Sequence, residues 1–470
     1  MVRGVRGSLL AAVALAFTGC AATGAGPQAA SDTPSTADAG SGGFDKNPYP
    51  STYHAYPGRV TAVTGVTIFD GEGGRIDGGT VVLADGKVER IGGAETPVPD
   101  GALVIDGRGK YVTPGVIDVH SHLGVYPSPS VDALSDGNEM TSPTTPDVWA
   151  EHSVWPQDPG FSRALANGGV TTLQILPGSA NLIGGRSVTL KNVPARTVQG
   201  MKFPGAPYGM KMACGENPKR VYGGKGRMPS TRMGNMAVDR EMWAKAVAYK
   251  KKLDAGKPVE RDLAMETLVG VLSGEILIHN HCYRADEMAQ VIDMSHEFGY
   301  KVTAFHHAVE AYKIADLLKK EGICAALWAD WWGFKMEAYD SVPENLPMVE
   351  QAGACAIVHS DDANQIQRLN QEASKALAAG RRMGIEISDE RAWRWLAINP
   401  ATALGIADKT GSLKPGKMAD VVLWNGNPFS VYTRPEKVWI DGALMFDADD
   451  PKRRPVSDFE LGQPGEGDVK

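Results

Sequence analysis

Strongly basic stretches and long apolar runs are both missing from most of this chain. The 470 residues carry a formal net charge of −7, and the lysines and arginines are scattered. This pattern excludes a surface built to bind nucleic acid. No run of eighteen apolar residues follows the first twenty residues, which excludes a membrane-spanning helix in the mature protein. With 43% apolar residues, the chain is long enough for one large globular domain and a smaller one.

Cysteine is also scarce, with five residues in the whole chain. Four of them, Cys214, Cys282, Cys324 and Cys355, lie in or just after apolar, strand-like runs. Because a buried thiol behaves as a small hydrophobic group, we expect these four to be free and buried. A disulfide is the alternative for an exported protein, and Cys324–Cys355 is then the preferred pair.

The first nineteen residues have the pattern of an export signal. Arg3 and Arg6 precede an apolar stretch from Leu9 to Phe17, and Thr18-Gly19-Cys20 follows it. This order predicts a signal peptide over residues 1–19. A cysteine at the cleavage point resembles the lipobox of bacterial lipoproteins, which implies a lipid anchor at Cys20 and a protein facing the periplasm or the cell exterior. The polar composition of residues 20–58 predicts a flexible tether, and that of 448–470 a disordered tail.

Histidines close three apolar runs. His120 and His122 end the run that begins at Tyr111, and His279-Asn280-His281 and His306-His307 end two others. Residues two apart on a strand share one face, so each His-x-His pair points its rings the same way. Imidazole is a favoured ligand of zinc and neighbouring metals, and the sequence therefore predicts a metal site.

The order of the apolar runs indicates an α/β fold. Between 59 and 110, short β-type runs alternate with Asp-Gly and Gly-Gly turns, which is typical of hairpins. Eight strand-like runs alternate with amphipathic segments between 111 and 405, which favours a (β/α)₈ barrel with its site at the carboxyl ends of the strands. Strand-like runs return between 406 and 447, and we expect them to pair with those of 59–110.

Several segments together resemble the metal-dependent amidohydrolase superfamily, nearest its branch of imidazolonepropionase-like proteins and Xaa-Pro dipeptidases. They are Val112 to His122, Gly168 to Thr172, the histidine clusters, His359-Ser-Asp361, Asn399-Pro-Ala401, and Gly411 to Asp420. The resemblance covers residues 59–446. It implies a TIM barrel with a small β-sandwich domain built from both chain ends, and it allows a homo-oligomer.

The resemblance also implies roles for individual residues. Asp361 would act as general base, and the same carboxylate would join the metal ligands. One or two divalent ions are expected, with zinc first. A carboxylated Lys211 would bridge two of them, and Glu216 is the alternative bridge. The predicted ligands are His120, His122, Lys211, His279, His307 and Asp361.

Other polar residues are candidates for binding a small-molecule substrate. They are His281, Arg220, Tyr222, Arg232 and His359, while His306 alternates with His307 and is expected to pack outside the barrel. Three tryptophans follow the seventh predicted strand, and we expect them either to line an apolar pocket or to pack the barrel rim; they are Trp328, Trp331 and Trp332.

The expected reaction is hydrolysis of an amide-type C–N bond, in a dipeptide or cyclic amide, by metal-activated water. Two alternatives stay open: a one-metal aminohydrolase that deaminates a heterocycle, and a catalytically silent binding lipoprotein.

Overall fold

The computed structural model describes residues 47–453. The predicted signal peptide, Cys20 and the first part of the predicted tether lie outside the described residues, as does the predicted tail from 454 onward. The described chain from Tyr49 forms one compact unit. Between residues 47 and 453, every helix is too short or too polar to cross a membrane.

Strands and helices alternate through the middle of this unit, and strands dominate both ends. The strands are β1 Thr61–Phe69, β2 Arg75–Ala84, β3 Lys87–Gly92, β4 Leu103–Asp106, β5 Tyr111–Pro114, β6 Val116–Ser121, β7 Val170–Ile175, β8 Ile183–Lys191, β9 Gly209–Ala213, β10 Leu277–Cys282, β11 Val302–His307, β12 Cys324–Leu327, β13 Cys355–Val358, β14 Val421–Trp424, β15 Pro435–Ile440 and β16 Ala443–Asp447. The helices are α1 Pro159–Gly168, α2 Glu216–Gly223, α3 Arg232–Asp254, α4 Leu263–Leu272, α5 Ala285–Phe298, α6 Ala315–Glu321, α7 Asn345–Gln351, α8 Leu369–Arg382, α9 Asp389–Ala392 and α10 Ile398–Ala403.

The first sheet joins strands from both ends of the described chain. Its path is β16-β15-β14-β5-β1-β2-β3, and β4 also pairs with β1. The two ends meet where β14 runs antiparallel to β5, with Val422 opposite Thr113. Buried side chains from both ends, including Val63, Val81 and Trp439, share one apolar cluster. The predicted pairing of the two flanking β regions is confirmed.

The second sheet is a nearly closed, barrel-like sheet of eight strands in the order β6 to β13. Seven strands are parallel, but β8 runs antiparallel to both β7 and β9. The expected uniform alternation of parallel strands and helices is therefore wrong at β8. The reason is the short connection of residues 176–182 from β7 to β8, since a crossover to a parallel strand needs a dozen or more residues.

A buried aspartate ties the last strand of this sheet to the first. Asp118, on β6, is fully buried. Its Oδ1 accepts hydrogen bonds from the backbone amide of Ser360, 3.2 Å away, and from that of His120, 3.1 Å away. Ser360 follows β13, so the carboxylate bridges the seam between β13 and β6. Burial raises the pKa of Asp118 to about 7.

A buried ion cluster links the two sheets. Lys191 ends β8, and its Nζ lies 2.7 Å from Asp441 Oδ2 and 3.0 Å from Asp420 Oδ1. Both carboxylates belong to the turns that flank β14 and β15. Because charges this deep must be paired, the cluster fixes the barrel-like sheet against the first sheet.

Residues 49–58, predicted as part of the tether, pack against the fold instead. The carbonyl oxygen of Tyr49 accepts a hydrogen bond of 2.6 Å from Lys202 Nζ. Ser51 Oγ donates to the Lys202 carbonyl oxygen at 2.6 Å, and the Tyr53 hydroxyl donates to Asp441. The prediction of a tether rested on the polar composition of the segment. It gave no weight to the aromatic residues, whose contacts order the segment.

The four cysteines form two disulfides, Cys214–Cys282 and Cys324–Cys355. The expectation of free thiols is therefore wrong, and the alternative pair Cys324–Cys355 is confirmed. These two residues lie directly opposite each other on β12 and β13. Strand pairing brought together cysteines that are far apart in sequence, a contact that apolar surroundings alone do not predict.

Candidate active site

The histidine clusters meet at the carboxyl ends of the barrel strands. His120 belongs to β6, His279 and His281 to β10, and His306 and His307 to β11. Lys211 comes from β9, whereas His122, His359 and Asp361 follow strand ends. Parallel strands place their carboxyl ends at one rim, which is why separate sequence clusters become one site.

Asp361 is the point on which the predicted ligands converge. Its Oδ1 lies 3.3 Å from His120 Nε2 and 3.1 Å from His122 Nε2. Its Oδ2 lies 4.0 Å from His307 Nε2. Lys211 Nζ lies 3.3 Å from His120 Nε2. Asp361 thus has three of the other five predicted ligands within 4.0 Å, and Lys211 lies next to one of them.

Left-handed backbone conformations aim two of these side chains. His307 has φ of 69° and Asp361 has φ of 107°, values that are uncommon for residues other than glycine. The left-handed conformation of His307 breaks the alternation of β11, so that His306 and His307 both point into the barrel. The prediction that His306 packs outside is therefore wrong. Strained backbone of this kind is typical of functional sites.

Each ligand candidate is held through its second ring nitrogen. His122 Nδ1 lies 2.9 Å from the carbonyl oxygen of Leu176. His307 Nδ1 lies 2.9 Å from His359 Nε2, and His120 Nδ1 lies 2.9 Å from His306 Nδ1. These contacts leave Nε2 of all three ligand candidates directed at Asp361. Such partners orient metal-binding histidines.

Burial favours the neutral form of His120 and His307, and the neighbours of Asp361 keep it ionised. Burial lowers the pKa of His120 and of His307 below the usual range for histidine. Burial alone would raise the pKa of Asp361, but the hydrogen bond with His122 and the nearby His307 and Lys211 hold it below its usual range. Burial lowers the pKa of Lys211 to about 8, so a larger share of its amine is neutral than in water.

These donors fit a divalent metal ion. The ligand atoms of His120, His122 and Asp361 lie within 4.8 Å of one another, as do those of His120, His307 and His359. Neutral imidazoles and an ionised carboxylate are the forms in which these groups bind metal.

The two histidines of β10 take different places. His279 Nδ1 lies 2.9 Å from His306 Nε2, and the His279 ring lies beside Gly209, toward the start of β9. In the described part of the chain, its buried Nε2 has no hydrogen-bond partner. His279 belongs to neither ligand group, whereas the ring of His281 lies 4.6 Å from that of His307. The sequence placed the ligand at His279, and the structure brings His281 closer to Asp361.

The alternative bridge and the predicted carboxylate-binding residues lie elsewhere. Glu216 begins α2, and its nearest charged partner is Lys335 Nζ at 3.9 Å. Tyr222 is buried, and its hydroxyl donates a hydrogen bond of 2.6 Å to the Ser142 carbonyl oxygen. Arg232 pairs with Glu287 and Glu337. Arg220 is exposed on α2.

A cavity of about 540 Å³ opens above Asp361. Its walls include His281, Asn217 and Lys335, none of which except His281 was singled out from the sequence. Most of the remaining wall is aromatic, and the other lining residues are Tyr283, Trp328, Trp331, Trp332, Phe334, Ser179 and Asp330. Trp328 stacks on His307, with ring centroids 4.3 Å apart, so the pocket-lining alternative for the tryptophans is the one observed.

Solved structures and curated sequences place this site in a family. An amidohydrolase from Thermotoga maritima MSB8 is 36% identical, and the match covers 82% of this chain and all of that one with a TM-score of 0.76. The chain belongs to the amidohydrolase family. The sequence profile described as "Amidohydrolase family" matches residues 350–446, which include β13, Asp361 and the returning strands.

Two curated relatives extend the comparison. Amidohydrolase tasK of Hapsidospora irregularis is 31% identical over 399 residues, which are 79% of this chain but 39% of that protein. The chain thus spans well under half of that relative. An imidazolonepropionase of Sphingopyxis alaskensis is 22% identical over 396 residues, which are 77% of this chain and 90% of that protein.

Proposed function

We propose that this amidohydrolase is metal-dependent and cleaves the amide-type C–N bond of a dipeptide or a cyclic amide. One observation carries the proposal: three histidine Nε2 atoms surround the carboxylate of Asp361 beneath a cavity large enough for a small molecule, and Lys211 Nζ lies 3.3 Å from one of them, that of His120. His120, His122, His307 and Asp361 would hold the metal, and Lys211 would join them as a carbamate bridge when two ions bind. A bound divalent ion would polarise the scissile carbonyl and lower the pKa of water.

Asp361 would act as the proton carrier in this reaction. Because its neighbours keep it ionised, the carboxylate can accept a proton from the attacking water. The oxygen of that water then bonds to the carbonyl carbon, the C–N bond breaks, and Asp361 returns the proton to the departing nitrogen. The left-handed backbone at Asp361 fixes the carboxylate at the cavity floor, where both transfers take place.

The role of Asp361 is tested with Asp361→Asn, which keeps the shape but cannot accept the proton. Acid–base groups contribute about 100- to 10,000-fold to rates, so we expect kcat for the best amide substrate to fall by that range. His296→Ala serves as the control, because His296 is 57% exposed and pairs with Glu321 far from the cavity. Activity retained by Asp361→Asn would rule out this mechanism.

Metal content distinguishes the proposal from its alternatives. Elemental analysis of the purified full-length protein should give two ions per chain, and Lys211→Ala should reduce this to one or none. One ion in both proteins would favour a deaminase. No ion in either would favour a silent binding protein.

We also propose that the protein is exported and anchored through lipid at Cys20. Two disulfides in the described residues support an oxidising compartment. The test is membrane fractionation of wild type and Cys20→Ala. We expect the wild type in the membrane fraction and the variant outside it, and a wild type found only in the cytoplasm would contradict the proposal.

A further inference from the structure

Lys335 is a largely buried cation whose hydrogen-bonding capacity is only partly used. Its side chain is 15% exposed. Its Nζ donates to Asn217 Oδ1 at 3.2 Å and lies 3.9 Å from the centroid of the Tyr283 ring. An ammonium group has three N–H donors. Among residues 47–453, Asn217 Oδ1 is the one acceptor within hydrogen-bond distance of Nζ, which leaves N–H donors unused on a side chain that lines the cavity.

Two carboxylates lie near Lys335, but neither is close enough to hydrogen-bond with it. Glu216 Oε1 and Glu337 Oε2 each lie 3.9 Å from Nζ, beyond hydrogen-bond distance. Glu337 is also paired with Arg232. A cation removed from water without a close partner is costly, and an anionic oxygen in the cavity would offset that cost.

Asn217 ties Lys335 to the catalytic end of the site. Its Nδ2 donates to Ser179 Oγ at 2.9 Å and lies 3.5 Å from His281 Nε2. Lys335 and Asp361 line the same cavity, so a molecule whose amide meets Asp361 also reaches Lys335.

The loop that carries Lys335 adds apolar surface to the mouth of the cavity. Trp332 is 61% exposed and Phe334 57% exposed, and both line the cavity. Exposed aromatic residues gathered in one place are typical of a binding surface.

We propose that Lys335 is the substrate's anion-binding residue, and that the substrate is an amide with a free carboxylate and an apolar side chain. The inference rests on the proposed function, since it concerns the same cavity. The Lys335 ammonium holds the carboxylate, and the aromatic loop packs against the apolar side chain. Lys335 lies after β12, whereas the sequence had suggested residues after β9 for this role.

The test compares acids with their carboxamides. Apolar dipeptides and N-acetylated apolar amino acids, each as free acid and as carboxamide, are titrated against the full-length protein while tryptophan fluorescence reports binding. The same compounds are then assayed for hydrolysis. The proteins are wild type, Lys335→Met, Lys335→Arg and the control Lys313→Met, whose lysine pairs with Glu310 and Asp340 outside the cavity.

We expect wild type and Lys313→Met to bind acids roughly 10- to 100-fold more tightly than carboxamides. Lys335→Met should lose this preference while binding carboxamides as before, and Lys335→Arg should recover part of it. No preference in the wild type, or equal losses for acids and carboxamides in Lys335→Met, would overturn the inference. Acid-selective binding without any hydrolysis would leave the inference standing and contradict the proposed function.

Discussion

The two disulfides lie at opposite ends of the barrel-like sheet, so their removal should have different consequences. Cys324 and Cys355 are the first residues of β12 and β13. Cys282 is the last residue of β10, and its partner Cys214 directly follows β9. Only the second bridge lies at the rim that carries the site. Cys282 is next in sequence to His281.

The expected loss of stability can be estimated from the chain that each bridge closes. Cys324–Cys355 spans a sequence separation of 31, which corresponds to about 3.7 kcal/mol of restricted unfolded-chain entropy. Cys214–Cys282 spans 68, which corresponds to about 4.4 kcal/mol. The second bridge should therefore contribute slightly more to the free energy of unfolding.

The assay uses the paired variants Cys324→Ala/Cys355→Ala and Cys214→Ala/Cys282→Ala. Urea unfolding, followed by tryptophan fluorescence, should show lower midpoints for both, and the lower of the two for Cys214→Ala/Cys282→Ala. The value of kcat/KM under native conditions should be unchanged in the first variant and reduced in the second, because His281, which lines the cavity, loses its fixed neighbour. Wild-type unfolding midpoints, or a greater loss of activity from the Cys324 pair, would refute this reasoning.

Two further predictions concern buried charges away from the site. Lys191→Met leaves two buried carboxylates without their cation and should lower the free energy of unfolding in urea by about 3–5 kcal/mol. Lys313→Met, at an exposed ion pair, should lower it by at most about 1 kcal/mol. Equal losses in the two variants would contradict the importance of the buried cluster. Burial raises the pKa of Asp239 well above its usual value. The favourable contribution of this residue to the free energy of unfolding is therefore fully present below pH 4 and is lost as the pH rises. Asp239→Asn should therefore have the wild-type Tm near pH 4 and a higher Tm than wild type at pH 8. The control Asp293→Asn, at an exposed position, should have the wild-type Tm at both pH values. A gain in Tm for Asp239→Asn that is the same at both pH values would contradict this prediction.

The sequence predicts the two-sheet architecture well because apolar periodicity reports burial directly. The flanking β regions pair across more than 300 residues, with β5 against β14, as expected from their β-type patterns. The direction of β8 was missed because periodicity carries no information on strand direction. The length of the loop between β7 and β8 does carry it, since residues 176–182 are too few for a crossover.

The candidate site was predicted where chemistry depends on residue type and missed where it depends on contacts. Histidines at strand ends are recognisable as candidate ligands from their residue type and position, whereas the candidate role of Asp361 came from the family resemblance. Asp118 was not singled out, although it lies two residues before His120. Lys335 and Asn217 carry no such signal, because loops after different strands bring them together.

The wrong prediction for His306 has a local physical cause. A strand-based argument assumes that alternation continues to the last residue, but His307 and Asp361 take left-handed backbone conformations where their strands end. At His307 the turn brings a second histidine inside the barrel beside His306, and it lets His307 Nε2 face Asp361 while its Nδ1 meets His359. In a regular strand, one of the two histidines would point into the barrel and the other would point outward. The rule that strand side chains alternate therefore fails at the residues whose side chains must converge on Asp361. Such departures from regular backbone are expected at functional sites, where a fold tolerates strain.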